Sequence, residues 1–220
     1  MAFKALVKPK QRLADQVYDQ IMEAIRNGEI DSTNRIVQER LADELKVSRT
    51  PVREALFRMA QEGIMEVADN GGFLIRQHTS DEISELYSSR CAIEGYAARI
   101  LAEANDPAIF GQLYDDIAKA ENLSERTVQG YFQANMSIHR NIVAATRNHL
   151  LLEFFDNIWN RGTSYTMFAS IQDDNLARSL GNHQRLIDAM ATGNGSAAAE
   201  EMIDHIRDGY RLQLAASAIS

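Results

Sequence analysis

The chain is nearly devoid of cysteine and has no long apolar run. Cys91 is the single thiol in 220 residues, so an internal disulfide is excluded, and an inert thiol in a reducing compartment is the expectation. No stretch approaches the roughly 18 consecutive apolar residues of a membrane span, and the opening MAFKALVKPKQR has charges without an apolar segment behind them. A cytoplasmic protein without a membrane partner is expected. An overall basic excess is missing too, since the formal net charge is −8. That deficit is unevenly placed. Residues 1–78 carry 12 Lys+Arg against 12 Asp+Glu, which leaves 11 against 19 for residues 79–220 out of totals of 23 and 31. A neutral N-terminal part with clustered arginines can still meet phosphates, so the acidic total does not exclude nucleic-acid binding. No internal repeat is present.

What is there divides into two parts. With 45% hydrophobic residues the chain can bury a full core and is long enough for two domains, read here as 1–78 and 79–220. In the first, LADQVYDQIMEAIRNGEI sets Leu13, Val17, Ile21 and Ile25 on one helical stripe that stops at Gly28. A short helix over QERLADEL, the tight turn KVS and a third helix over RTPVREALFRMAQEG follow, with Ser48 or Thr50 as candidate caps and Pro51 tolerated in the first turn. Two apolar-rich runs around DNGG then read as a β-hairpin, because such a turn needs positive φ. Helix, helix, helix and hairpin make a winged helix-turn-helix. Val52, Ala55, Leu56 and Met59 face its core, leaving Arg49, Thr50 and Arg53 outward, where arginine can fork onto guanine. Solvated surface charge is the competing reading.

After HTSDE, where Thr79, Ser80 or Asp81 can cap a helix, about six helical segments are expected at 81–104, 107–122, 124–147, 149–168, 173–192 and 196–216. The fold class is therefore mainly α: a winged helix-turn-helix with a small hairpin, then an all-α bundle. Polar residues interrupt its apolar faces. On the segment 131–143, Asn135 and His139 fall among Tyr131, Phe132 and Ile142. His183 shares a stripe with Leu176, Leu180, Ile187 and Met190, and His205 lies beside Met202. A lone inward histidine is usually a hydrogen-bonded core residue. Three on separate helices, with an amide one turn away, are a donor set for a first-row divalent cation. His78 and His149 are given no role. Arg90 and Glu94 sit at the centre of the stripe Ile83, Leu86, Tyr87, Ala97, Leu101. Buried charge there is either an internal ion pair or an arginine that anchors an effector carboxylate.

Both parts resemble known modules. LADELKVSRTPVREALFRMAQEGIMEVADNGGF is similar to the DNA-binding domain of the GntR family of bacterial transcription regulators, which implies DNA contacts by Arg40, Arg49, Thr50, Arg53 and Gly72. Ser32-Thr33 stands where many members have Pro-Gly. ISELYSSRCAIEGYAARILAEA, YFQANMSIHRNIVAATRNHLL and NHQRLIDAMATGNGSAAAEEMIDHI resemble the FCD ligand-sensing domain of the FadR subfamily. That resemblance implies a divalent metal, zinc with nickel and manganese as alternatives, held by Asn135, His139, His183 and His205. Asn replaces the more usual Asp, so weaker metal binding, or filling only together with an anionic effector, is expected.

The reading is a homodimeric repressor on a two-fold symmetric operator, controlled by a small organic acid at or beside the metal. A metal-dependent enzyme acting on a small carboxylate is the alternative, weakened because no acidic residue is obviously placed beside the cluster to serve as general base. A metal- or metabolite-binding bundle that docks on a protein partner is a second alternative.

Overall fold

A computed structural model describes residues 12–123, 126–159, 162–169, 171 and 173–217. By its internal contacts the chain forms two units, residues 1–77 and 78–220.

In the first unit, α1 (Leu13–Arg26) buries Val17, Ile21 and Ile25, while Leu13 at its start stays exposed. Helix α2 (Gln38–Leu45) ends at Lys46, whose left-handed φ of 53° turns the chain sharply. Helix α3 (Arg49–Gln61) follows three residues later and buries Val52, Ala55, Leu56 and Met59, as its period requires. Each such large apolar side chain contributes about 1.5–3 kcal/mol by leaving water. Ser48 stands at the N-cap of α3 but makes no side-chain cap bond, so the expected serine or threonine cap does not form. The wing is an antiparallel pair, β1 (Met65–Val67) and β2 (Phe73–Ile75), in register Met65 with Ile75.

Gly72 has a structural reason to be glycine. Its φ is +83°, and a Cβ there would lie 2.7 Å from the carbonyl oxygen of Ile36. Ile36 and Phe73 exchange backbone hydrogen bonds at that point, tying the wing to the strand-like segment before α2. Gly71, at φ +77°, meets nothing within 4 Å; there only the turn conformation demands glycine.

Every regular element among the described residues of the second unit is a helix. The unit comprises α4 (Ser80–Ala104), α5 (Pro107–Glu121), α6 (Val128–Ala145), α7 (His149–Trp159), α8 (Gly162–Ala169), α9 (Asp173–Ser179), α10 (His183–Ala191) and α11 (Gly195–Ser217). Thr79 and Glu82 form a reciprocal capping box at the start of α4. Asp106 caps α5 with Pro107 in its first turn, and Thr127 caps α6. The long helices α4 and α11 pack closely along one another. Gly95 permits the approach, since a Cβ there would sit 3.1 Å from Ile203.

Two segments expected to be continuous are divided. The 149–168 segment forms α7 and α8, with residues 160–161 between them outside the described set. The 173–192 segment breaks at Gly181-Asn182, where Asn182 takes a left-handed φ of 69°. Asparagine tolerates that conformation and a glycine precedes it, so the apolar stripe continues through a corner. No helix among the described residues is long and apolar enough to cross a membrane.

Candidate functional site

The corner before α10 is what delivers His183. It is the first residue of that helix and fully buried, and its Nδ1 lies 3.0 Å from the Leu180 carbonyl oxygen and 3.4 Å from Glu121. On α6, the stripe of Phe132, Asn135, His139 and Ile142 is buried as its period predicts. His205 projects from α11 next to the buried Met202 and Ile206. The three imidazoles meet. Their ring centroids are 4.7–5.3 Å apart, and one nitrogen from each lies within 4.8 Å of the others.

Two of those nitrogens are conspicuous. Nε2 of His139 and Nε2 of His183 are buried without a hydrogen-bond partner, a state that costs about 1–3 kcal/mol per group. Each ring has its Nδ1 engaged instead: His139 with Glu94 Oε2 at 2.5 Å, and His183 with the Leu180 carbonyl. A Nδ1–H bonded to a carboxylate or carbonyl leaves the Nε2 lone pair free, the arrangement that orients metal-ligating histidines. Burial pushes the pKa of His139 down to about 4, against the pull of Glu94. Burial and the neighbouring imidazoles push His205 to about 2. Near neutral pH the rings of His139 and His205 are therefore uncharged donors. The residues present fit a divalent cation.

Glu94 was singled out in the sequence with Arg90 but not tied to the histidines; its contact with His139 overturns the expectation that no acid stands beside the cluster. Its carboxylate receives His139 on Oε2, Arg90 Nε at 2.8 Å on Oε1 and Trp159 Nε1 at 3.3 Å, also on Oε1. Burial opposes its charge, but Arg90 and His139 outweigh that and hold the carboxyl well below its usual range. With its oxygens so committed, Glu94 positions His139 rather than standing free as a base. The Arg90–Glu94 spacing of four residues was the available signal; the link to His139, 45 positions away, had none. Glu94→Leu is expected to strand Arg90, lowering stability by about 3–5 kcal/mol, read as a fall in the urea midpoint at unchanged slope.

Arg90 thus resolves towards the internal ion pair, and its guanidinium also lies over Trp159, 4.3 Å from the ring centre. It nevertheless lines a cavity of about 60 Å³ together with Tyr87, Asn135, Arg178 and His205. Asn135 is only partly available: its Nδ2 donates to the Ser179 carbonyl at 2.6 Å. His78, in sequence a linker residue, is hydrogen-bonded to Thr166 of α8 at 2.9 Å.

In the first unit, Arg49, Thr50 and Arg53 lie exposed on the outer face of α3. Arg49 pairs with Glu39 at 2.7 Å and Arg40 with Glu44 at 2.9 Å, all four side chains more than half exposed. Exposed pairs of this kind contribute only about 0–1 kcal/mol, so a phosphate can replace the carboxylate at little cost. Arg35, not singled out in the sequence, reaches the wing turn through the Asn70 carbonyl at 3.4 Å.

A winged helix-turn-helix unit followed by a helical unit with three converging imidazoles defines a DNA reader coupled to a small-ligand sensor. Residues 13–75 match the family described as bacterial regulatory proteins, gntR family, and residues 85–208 match the FCD domain. The chain belongs to the GntR family of transcription regulators and carries an FCD domain. It is similar to the Uxu operon transcriptional regulator of Escherichia coli K12, at 28% identity covering 91% of this chain and 85% of the relative. A probable D-xylose utilization operon transcriptional repressor of Paenarthrobacter nicotinovorans is 26% identical, covering 88% and 85%. Among solved structures, a GntR regulator from Rhodococcus sp. RHA1 has the same fold, with a TM-score of 0.71 at 22% identity over 92% of this chain and 97% of that one. The protein is a DNA-binding transcription regulator and not an enzyme. FCD domains are known to bind metal, and the three histidines form a possible metal site in this one.

Proposed function

We propose that this regulator, of the FadR subfamily, is a homodimeric repressor. Its operator affinity is set by a small organic acid bound beside a divalent metal. Arg40, Arg49, Thr50, Arg53 and Gly72 meet a two-fold symmetric operator. His139, His183 and His205 hold the metal, zinc before nickel or manganese, with Asn135 as a neutral fourth donor. The metal supplies a localised positive charge that attracts carboxylate oxygens. Arg90, although paired with Glu94, offers further N–H groups to the same cavity.

The observation that carries this reading is the pair of unpartnered, buried Nε2 atoms converging with His205. The cavity of about 60 Å³ suits a compact acid, with room for about four to six water-sized groups at roughly 10–15 Å³ each. Repression accords with the relative named as a repressor. Ligand binding then shifts the population of DNA-competent arrangements by its differential affinity for them. Elemental analysis beside native and denaturing mass spectrometry of the purified protein tests the proposal. One divalent ion per chain with a small acid is the expected result; protein free of metal after purification and after zinc addition would refute it.

A further inference from the structure

The wing carries no cation of its own. Residues 65–75, both strands and the turn between them, contain Glu66 and Asp69 and no lysine, arginine or histidine. A hairpin that is to lie against the phosphate backbone needs positive charge, and here that charge has to come from outside it. Arg35 supplies it. Ile36 and Phe73 exchange two backbone hydrogen bonds, each of 2.8 Å, which pin the residue before Ile36 beside the wing turn. The Arg35 stem lies across Gly72, its Cγ 3.4 Å and its Nε 3.5 Å from where a Cβ of that glycine would stand. The guanidinium reaches the turn itself, with Nη1 donating to the Asn70 carbonyl oxygen at 3.4 Å.

That bond is long and exposed, so another acceptor can replace it at little cost. Arg40, Arg49 and Arg58 each hold a carboxylate, whereas Arg35 has no ion pair among the described residues. Its place along the chain matters too. Arg35 stands four residues before Glu39, the partner of Arg49 at the start of α3, and four residues span at most about 14 Å. Half a turn of B-DNA, the step from a major groove to the minor groove beside it, is about 17 Å. With Arg49 at base edges, the length of the Arg35 side chain makes up the difference.

We propose that Arg35 enters the minor groove alongside the wing turn and selects operators whose groove is narrow there. A narrow A·T-rich minor groove concentrates negative potential and attracts arginine, and it lacks the 2-amino group that guanine projects into the groove. Arg35 is then a specificity-determining residue that reads shape, while α3 reads base edges. This rests on the reading of α3 as the recognition helix and extends the operator beyond the bases that α3 can touch.

The test is fluorescence anisotropy of the full chain on duplexes that share the major-groove bases selected from random DNA. They differ only half a turn to either side, where they carry A·T, G·C or inosine·C tracts. Inosine·C keeps the major-groove pattern of G·C and lacks the 2-amino group, so it separates groove shape from base-edge readout. The parent is expected to bind the A·T and inosine·C duplexes about tenfold more tightly than the G·C duplex. Arg35→Ala should bind all three as the parent binds G·C, with its thermal midpoint unchanged. Arg35→Lys should retain only part of the preference, because an ammonium is more strongly hydrated than a guanidinium. A parent indifferent to the tracts, or an Arg35→Ala variant that keeps the preference, overturns the proposal. So does equal weakening of Arg35→Ala on all three duplexes, which would make Arg35 a phosphate contact. A parent that binds no duplex specifically overturns the reading of α3 itself, and this inference with it.

Discussion

The double replacement His183→Ala, His205→Ala is expected to take bound metal from one ion per chain to none. Each change removes one of three imidazoles, leaving His139 with at most an amide beside it. A single imidazole and a neutral oxygen do not compete with water and buffer for a first-row dication, whereas complete structural sites bind with roughly 10–16 kcal/mol. Elemental analysis after saturation with zinc and gel filtration reads the loss. A second readout separates loss of the site from loss of the fold. Zinc should raise the thermal midpoint of the parent, because a ligand at a thousandfold excess over its Kd adds about 4 kcal/mol. The variant should keep its helical circular dichroism and show no zinc-dependent shift. Stoichiometric metal in the variant would place the ion elsewhere in the molecule.

Arg49→Ala with Arg53→Ala is expected to abolish specific DNA binding. Both side chains are exposed on α3, and the Glu39 partner of Arg49 is itself exposed, so the carboxylate releases the guanidinium to DNA cheaply. Loss of an arginine that reads a base edge costs about 1–3 kcal/mol, and two such losses compound to a fall of about 1.5 to 4 orders of magnitude. Fluorescence anisotropy on a fragment selected from random duplex DNA checks this. In the parent, affinity should fall steeply with salt, since each neutralised phosphate adds about 0.9 to the logarithmic slope. Arg40→Ala should weaken binding evenly across sequences and reduce that slope by about 1. Unchanged affinity in the double variant, or salt-insensitive binding in the parent, would move the interaction off α3 and favour a protein-docking surface.

How much of this was legible beforehand follows from the range of the interactions involved. Helix α2 runs over the eight residues its pattern marks, and Val17, Ile21 and Ile25 are buried where the stripe puts them. Thr79, one of three candidate caps, proves to be the cap because Glu82 stands three residues on to complete the box. The three inward histidines were visible as breaks in apolar stripes. The corner at Gly181-Asn182 was written in residues suited to it, yet the unbroken stripe from Leu176 to Met190 concealed it.

Periodicity, capping and turn chemistry act within a few residues, so the amino-acid order alone marked the wing, the helical stretches apart from two breaks within them, and which side chains must leave water. Which buried groups face each other is set by packing between segments 40 to 70 positions apart, and no local pattern encodes that. Only the tertiary structure could join Glu94 to His139, give Asn135 the Ser179 carbonyl, and bury Nε2 of His139 and of His183 without a hydrogen-bond partner.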